Sequence, residues 1–167
     1  MVVLGYLFTI ATYTLLCISR FMKNKKMMLT LDLFSKILMP ISFYCFNSYS
    51  GVYIFIAVFL MLFVANIKER MKKKWLPLYL LFQTLYLIIL YFTYAGISSI
   101  LVVITVSVAL YTTWWLPPQQ MRIIGAFNGM TYLSYQLSIQ NWAGLLEIFV
   151  IISNFISYFK AKKHTLS

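Results

Sequence analysis

Residues that carry out catalysis or bind metal ions are scarce in this sequence. Its 167 residues include three acidic side chains and one histidine, His164, near the C-terminal end. The cysteines have no base near them, and the topology derived below places Asp32 and Glu147 near opposite membrane faces. No Ser/His/Asp set, Cys/His set or carboxylate pair is therefore available. We predict that the protein is not an enzyme, has no catalytic residue, and uses neither a cofactor nor a metal site.

Cysteine is also scarce, and the two cysteines do not indicate a disulfide. Cys17 and Cys45 both lie inside apolar segments, and the topology derived below places them near opposite faces of the membrane. The sequence contains no CxxC motif and no cysteine–histidine spacing typical of a metal site. The first segment lacks a basic n-region and an A-x-A cleavage site, so we interpret it as a retained helix rather than a signal peptide.

Charged residues make up only 10% of the sequence, whereas hydrophobic residues make up 62%. The mean hydropathy is +0.85. A soluble domain of this length cannot bury so much apolar surface, which indicates that a lipid bilayer surrounds the protein. In a soluble protein, the formal net charge of +11 would suggest a nucleic-acid partner. Here the positive charge is confined to short runs between apolar segments, so it predicts membrane topology and no nucleic-acid binding.

Seven apolar runs are long enough, or nearly long enough, to cross ~30 Å of hydrocarbon. They span residues 2–19, 28–46, 51–67, 75–94, 97–115, 122–138 and 142–159. SRFMKNKK, KERMKKK, LPPQQMR and the tail KAKKHTLS are basic, and they alternate with the uncharged connections NSYSG, YAGIS and SIQNWAG. By the positive-inside rule, this alternation predicts an N-terminus outside the cell and a C-terminus in the cytoplasm. The predicted fold class is all-α, a single polytopic membrane bundle of seven transmembrane helices.

The predicted helices include an internal repeat of three. A shift of 93 residues superposes NSYSG at 47–51 on QNWAG at 140–144, and it also aligns Met28 with Met121. One helix separates the two triplets, so both have the same orientation, as in a parallel repeat about an axis along the membrane normal. We predict a 3+1+3 arrangement, with repeat A at about 2–67, a linker helix at about 75–94, repeat B at about 97–160 and a cytoplasmic tail at 161–167.

Two charged residues fall inside the second predicted helix. Asp32 and Lys36 are four residues apart and so lie on one face, roughly 6 and 12 Å inside the cytoplasmic boundary. One interpretation is a local ion pair that eases insertion, with Lys36 extending toward the membrane surface. The other follows from the repeat, in which these positions align with Gly125 and Gly129, a GxxxG spacing that favours close helix packing. The face of Asp32 and Lys36 would then point into the bundle.

The last predicted helix carries a carboxylate, Glu147, and a carboxamide, Asn154, seven residues apart and therefore on the same face. They lie roughly 8 and 18 Å below the outer boundary. One hypothesis is that this face lines a central solute path, with Asn128 and Lys36 as further lining residues. The alternative is an interhelical lock, in which Glu147 pairs with Lys36 and Asn154 bonds to a neighbouring helix. Asn128 either joins the path or caps the packing interface of its own helix.

The last part of the chain carries a resemblance to known proteins. Glu147, Asn154 and Lys160 are spaced seven and then six residues apart, after the polar loop SIQNWAG. In this pattern the chain resembles the YgjV family of bacterial inner-membrane proteins. In its N-out, C-in topology of three, one and three helices, it also resembles the SWEET sugar transporters and the nicotinamide riboside transporters of the same broad superfamily.

The resemblance implies a location in the bacterial cytoplasmic membrane. It also implies that an asparagine at the depth of Asn154 hydrogen-bonds a substrate. The Pro118-Gln119 dipeptide is similar to the PQ pair of that superfamily, but it stands at a helix end. Repeat A has Lys25-Lys26 at the equivalent place, so the role of the dipeptide is unassigned.

These features predict a multi-pass membrane protein, and two kinds of function fit them. The first is a SWEET-like facilitator of a small neutral or weakly cationic solute, because the expected path contains an acid and carboxamides. The alternative is a membrane partner that does not transport, such as an assembly factor or sensor. Its basic surface would bind anionic lipid or an acidic protein, or would only fix the orientation of the chain. The sequence determines neither the solute nor the oligomeric state.

Overall fold

A computed structural model of the chain describes residues 2–71 and 75–165. These residues form seven α-helices, which confirms the predicted all-α class. The helices are α1 (Val2–Arg20), α2 (Lys25–Cys45), α3 (Tyr49–Met71), α4 (Leu76–Thr93), α5 (Ile97–Trp115), α6 (Pro118–Ser138) and α7 (Glu147–Thr165). A short 3-10 helix, Trp142–Leu146, leads directly into α7.

Six helical segments in the described part of the chain are long and apolar enough to cross a membrane. They are α1 to α5 and the continuous stretch Trp142–Ala161. α6 is 21 residues long but more polar, because Arg122, Asn128 and Gln136 lie along it. The fold is thus a polytopic membrane bundle, and the lipid bilayer is its environment. A seventh crossing, by α6, stays a prediction.

Each helix packs against the next one along the chain, and two further pairs close the bundle. α3 contacts α5, and α1 contacts α7. Six helices therefore form a closed ring in the order α1, α2, α3, α5, α6, α7. α4 lies outside this ring, against α3 and α5, and only Phe82 and Tyr86 of this helix are buried. An apolar helix with so narrow a contact stripe presents most of its surface to lipid.

The observed helices follow the predicted apolar runs closely, with differences at three basic segments. α6 begins at Pro118 rather than at residue 122, because proline is favoured in the first turn of a helix. α3 continues to Met71, so the first four residues of KERMKKK are helical rather than part of a loop. α7 continues to Thr165, through most of the segment predicted as a tail. Lysine and arginine are good helix formers and are favoured near helix C-termini, so neither segment contains a signal that ends the helix. Residues 72–74 and 166–167 lie outside the described part of the structure.

One end of the bundle, called the basic end below, is where α1, α3 and α5 finish and α2 and α6 begin. Lys25 in the first turn of α2 donates to the carbonyl of Leu116, just after α5, at 3.0 Å. Arg122 in the first turns of α6 donates to the carbonyl of Met22, just after α1, at 2.7 Å. Carbonyls at helix C-termini lack intrahelical partners, and the negative end of the helix dipole favours cations there. The ring has two halves, α1 to α3 and α5 to α7, and each half thus caps a helix of the other half.

Lys68 makes a further contact at the basic end. Its ammonium donates to the carbonyl of Trp114 and lies 5.0 Å from the centroid of that indole ring. The residue is only 8% exposed. A lysine that the sequence assigns to a charged loop is therefore buried between α3 and α5, where it links the two helices.

Asp32 pairs with Arg20 of α1, not with Lys36 of its own helix. Arg20 Nη2 donates to both carboxylate oxygens, at 3.0 and 2.9 Å, and the Ser19 hydroxyl donates to Oδ1 at 2.5 Å. The Arg20 and Asp32 side chains are only 14% and 9% exposed. The predicted local ion pair between Asp32 and Lys36 is therefore wrong, because the α1–α2 hairpin brings the end of α1 beside Asp32.

The opposite end, called the neutral end below, contains two turns with the same backbone geometry. Phe46 and Ile139, the residues after α2 and α6, have φ/ψ angles of −98°/11° and −97°/12°. The residues that follow, Asn47 and Gln140, have positive φ angles of 56° and 58°. In both turns the next amide donates to the carbonyl five residues earlier at 3.0 Å, which makes each a Schellman-type helix end. The paired positions are 93 residues apart, the shift found in the sequence.

Removal of the Asp32 charge should destabilise the protein. Asp32→Asn keeps the size of the side chain but leaves the Arg20 guanidinium buried without its counter-charge, which costs about 3 kcal/mol of unfolding free energy. The measurement is the unfolding midpoint of the detergent-solubilised protein during titration with SDS. Combining Asp32→Asn with Arg20→Met should recover part of the loss. Additive losses in the double variant, or an Asp32→Asn protein as stable as one with the exposed-site control Lys23→Gln, would contradict the pairing.

Candidate functional site

A cavity of about 130 Å³ lies inside the ring, with lining residues from all six of its helices. Most of its wall is apolar, and it includes side chains such as Leu16, Val58 and Val106. None of the described residues of α4 lines it, and Gln83 of that helix instead donates to the Ser107 hydroxyl at 2.9 Å. The charged and carboxamide side chains in the wall are Arg20, Asp32, Lys36, Asn128, Glu147 and Asn154.

The four residues predicted for a solute path are therefore brought together at one cavity. Glu147, Asn154, Asn128 and Lys36 all line it, although their role as a path stays a prediction. Asp32 and Glu147, which the sequence places near opposite membrane faces, also line this same cavity. Among the described residues, no hydrogen bond links these two carboxylates.

Glu147 reaches the cavity because of the turn that precedes it. The 3-10 helix Trp142–Leu146 carries the chain back into the bundle, and Glu147 is the first residue of α7. The positive end of the helix dipole favours a carboxylate at this position. The residue is 5% exposed, and its Oε2 atom is buried without a hydrogen-bond partner. The Tyr13 phenol of α1 lies beside the carboxylate.

Asn154 lies two helical turns beyond Glu147 on the same face of α7. It is 3% exposed, and its Oδ1 atom is buried without a hydrogen-bond partner. Its side chain makes no hydrogen bond to any residue that the structure describes. The predicted lock, in which Asn154 bonds to a neighbouring helix, is therefore not formed.

Lys36 enters the cavity from α2 and is not paired with an acid. Its ammonium contacts the sulfur of Met39 at 3.3 Å and lies 5.2 Å from the centroid of the Phe55 ring. No carboxylate of the described residues comes within 4.0 Å of it. The second part of the predicted lock, a Lys36–Glu147 ion pair, is therefore also absent. The ammonium is held by the sulfur and ring of the α2–α3 side, and Glu147 lies on α7.

Asn128 serves helix packing and the cavity at once. Its Nδ2 atom donates to the Thr105 carbonyl at 2.9 Å, which ties α6 to α5. This bond fixes the orientation of the amide, so that Oδ1 is the free end, and Oδ1 is buried without a partner. The two alternatives for this residue, lining the path and supporting the packing of its own helix, are thus compatible.

The two glycines of the GxxxG motif differ in how closely α7 approaches them. A Cβ atom built on Gly129 would stand 2.7 Å from Cγ1 of Ile151 and 2.9 Å from Oε1 of Glu147. A Cβ atom built on Gly125 would meet only the Asn154 amide, at 3.6 Å or more. The neighbours are side chains rather than the backbone expected for a GxxxG contact. The side chains of α7 therefore approach α6 closely at Gly129, whereas Gly125 leaves room for the side chain of Asn154.

A second polar cluster, at the neutral end, was missed in the sequence. Thr9 and Ser42 share a hydrogen bond of 2.6 Å between α1 and α2, and Asn141 donates to Gln136 at 2.8 Å. These four residues are at most 2% exposed. Asn141 also donates to Thr9 at 3.4 Å, which links the two pairs. Small polar residues in apolar helices give a weak signal, because they satisfy their bonds locally as often as between helices.

Arg20 is the other site residue that sequence reasoning missed. It was assigned to the basic connection SRFMKNKK as a charge that sets the topology. Arg20 is the last residue of α1, whereas Asp32 lies about two helical turns into α2. The two positions are not opposite each other across the hairpin, so their spacing in the sequence gives no direct signal for the pair.

Comparison with known proteins gives a family for this chain. The model of the family Imp-YgjV, described as bacterial inner membrane protein, matches residues 3–165. Because the match covers nearly the whole chain, the protein belongs to this family. The resemblance to YgjV proteins is thus confirmed, whereas the relation to SWEET and nicotinamide riboside transporters stays a prediction. No match to this chain is found among curated proteins or among solved structures.

Alanine at Gly129 should destabilise the protein, whereas alanine at Gly125 should not. The clash of a new methyl group with Ile151 and Glu147 forces α7 away from α6, at a cost of roughly 1–3 kcal/mol. The methyl group at Gly125 fits beside Asn154, and alanine is the better helix former. SDS titrations of Gly129→Ala and Gly125→Ala, read by the unfolding midpoint, compare the two directly. Equal midpoints would refute the close approach at Gly129.

Proposed function

We propose that this bacterial inner membrane protein is a SWEET-like facilitator of a small neutral or weakly cationic solute, with the cavity as the solute site. The observation that carries the proposal is a set of three buried acceptor atoms without partners, Asn128 Oδ1, Glu147 Oε2 and Asn154 Oδ1. Buried polar atoms are almost always hydrogen-bonded, so unpartnered acceptors around one cavity indicate a place for a ligand or water. Donor groups on a solute would form the hydrogen bonds that these acceptors lack.

The helix boundaries support an internal repeat. α2 and α6 each have 21 residues and begin at Lys25 and Pro118, a separation equal to the shift of 93 residues found in the sequence. α3 and the 3-10 helix before α7 begin at Tyr49 and Trp142, with the same separation. The neutral-end turns that precede them have matching geometry. These matches favour a 3+1+3 arrangement in which α4 is the linker.

The helix contacts fit the same arrangement. If α1, α2 and α3 are exchanged with α5, α6 and α7, the contact between α3 and α5 becomes the contact between α7 and α1, and both contacts are present. The cavity then lies on the axis that relates the two repeats. Sites at the interface between repeats are typical of transporters built in this way.

The basic end provides a way for such a cavity to open. Lys25 of repeat A caps the end of α5 in repeat B, and Arg122 of repeat B caps the end of α1 in repeat A. These two bonds are reciprocal across the repeat axis. In the proposed mechanism, rocking of one repeat against the other breaks them and exposes the cavity on that side. The driving force is the solute gradient or a coupled ion, because the sequence contains no nucleotide-binding motif.

The orientation proposed for the chain follows from the same end of the bundle. Arg20, Lys25, Lys68 and Arg122 all lie there, whereas the neutral-end turns 46–48, 94–96 and 139–141 carry no charge. An excess of lysine and arginine marks the cytoplasmic side of a membrane protein. The N-terminus is then outside the cytoplasm, and the C-terminus is in it.

Thiol labelling in intact cells should report this orientation. In a background with Cys17→Ser and Cys45→Ser, a membrane-impermeant maleimide should label Tyr94→Cys at the neutral end. It should label Lys23→Cys at the basic end only after the membrane is permeabilised. Both native residues are exposed, so burial does not limit either reaction. Labelling of Lys23→Cys in intact cells would invert the topology and refute the proposed orientation.

A second function, that of a non-transporting membrane partner, has one observation in its favour. The cavity of about 130 Å³ is small beside the roughly 300–1,000 Å³ of most small-molecule sites. A bundle of this kind would use its polar interior only for stability and its basic end to bind an acidic protein or anionic lipid. Such a protein would give no solute flux when it is the only protein in a vesicle.

Solute flux through the purified protein should depend on Asn154. Proteoliposomes are tested by stopped-flow swelling with urea, glycerol and ethanolamine as small neutral or weakly cationic solutes. Asn154→Leu removes a hydrogen bond to the solute worth about 1.4 kcal/mol, so flux should fall roughly 10-fold. Gln83→Leu is the same chemical change outside the cavity and should leave flux intact. Absence of flux for every solute with a folded protein, or equal flux in the two variants, would refute the proposal.

A further inference from the structure

Two ionisable side chains in the cavity wall form no ion-pair contact. Four charged residues line the cavity, and two of them, Arg20 and Asp32, form an ion pair at 2.9 Å. Lys36 and Glu147 remain, and neither has an oppositely charged group of the described residues within 4.0 Å. A charge buried in a membrane protein is costly unless a partner or water is present. The cavity wall thus contains one basic and one acidic side chain without an ion-pair contact within 4.0 Å.

The two charges are held on different sides of the cavity. Lys36 extends from α2, where the Met39 sulfur at 3.3 Å and the Phe55 ring at 5.2 Å hold its ammonium beside α3. Glu147 extends from α7 toward α6, where a Cβ built on Gly129 would stand 2.9 Å from Oε1. The first pair of helices belongs to one half of the ring, and the second pair belongs to the other half. A molecule in the cavity therefore meets Lys36 from one half of the ring and Glu147 from the other half.

The neutral polar atoms reinforce this division. Asn154 Oδ1 and Asn128 Oδ1 are unpartnered acceptors, and both residues belong to the same half as Glu147. That half thus offers three unpartnered acceptors, whereas on the other side Lys36 offers donors and the Asp32 oxygens already accept bonds from α1. The two sides are therefore suited to bind opposite groups of one ligand.

We infer that the ligand of this cavity is a small amphoteric molecule, with a cationic or N–H-rich group against Glu147, Asn154 and Asn128 and an anionic or carbonyl group against Lys36. This inference rests on the proposed function and narrows its solute class to net-neutral molecules with two opposite ends. A cavity of about 150 Å³ holds a benzene-sized molecule, so the cavity of about 130 Å³ suits a ligand of about six non-hydrogen atoms.

Four compounds of nearly equal size test the inference by binding to the detergent-solubilised full chain. β-Alanine carries both charges, butylammonium and butanoate carry one each, and butanamide carries none. Dissociation constants come from isothermal titration, with the shift of the unfolding midpoint as a second measurement. β-Alanine should bind at least ~10-fold more tightly than each of the others, which corresponds to about 1.4 kcal/mol.

Substitution of Lys36 or Glu147 should change the order of the four dissociation constants rather than abolish binding. Lys36→Met removes the partner of the carboxylate, so β-alanine should lose its ~10-fold advantage over butylammonium. Glu147→Gln should in the same way reduce its advantage over butanoate. Lys23→Met and Glu69→Gln are the matched controls, because neither residue lines the cavity, and they should keep the original ranking. Lys36→Gln provides a second, polar variant in case Lys36→Met does not fold.

Equal binding of the four compounds to the unmodified protein, or an unchanged ranking in both Lys36 variants, would overturn the inference. Failure of the inference is distinguishable from failure of the proposed function. A β-alanine preference that depends on Lys36 without any flux in proteoliposomes supports the inference and refutes transport. Flux of butanamide together with equal binding of all four compounds supports transport and refutes the amphoteric ligand.

Discussion

A charge in the hydrocarbon core of a membrane needs a partner, and this need decides which faces of the helices point inward. The chain has only three acidic residues. Asp32 pairs with Arg20 at 2.9 Å, and Glu69 pairs with Lys25 at 3.4 Å, both toward the basic end. Glu147 alone has no cation within 4.0 Å among the described residues, and it lines the cavity. The one unpaired acid thus marks the part of the bundle where the protein itself does not complete the polar contacts.

The two halves of the ring place the charges that form no ion pair on different helices. In the first half, Lys36 stands on α2 with Asp32, and the positions 93 residues later, on α6, are Gly125 and Gly129. In the second half, the acid Glu147 stands on α7, where Gly129 gives it space. Charged side chains on both α2 and α6 would fill the centre of the ring, and the glycines of α6 leave room there for a cavity with unlike walls.

The helices were predictable because they depend on local properties of the chain. Runs of apolar residues set the spans, and turn residues such as Asn47 set the helix ends. The partner of Asp32 was not predictable from its own helix, because Lys36 is nearer in sequence but Arg20 is nearer in space. That choice depends on how far α1 extends past its apolar run. The placement of Lys36 against the Phe55 ring likewise depends on the packing of α3, which periodicity does not specify.

The two ends of the bundle are closed by bonds of different character, and this difference bears on which end opens under the proposed mechanism. At the basic end, Lys25 and Arg122 donate charge-assisted bonds to carbonyls, and water can replace both partners when the end opens. At the neutral end, the bond between the two halves joins uncharged groups, because Asn141 donates to Thr9 at 3.4 Å. Under the proposed mechanism, opening of the basic end therefore breaks charge-assisted bonds. Opening of the neutral end breaks bonds between neutral groups and gives the buried Glu147 carboxylate access to water.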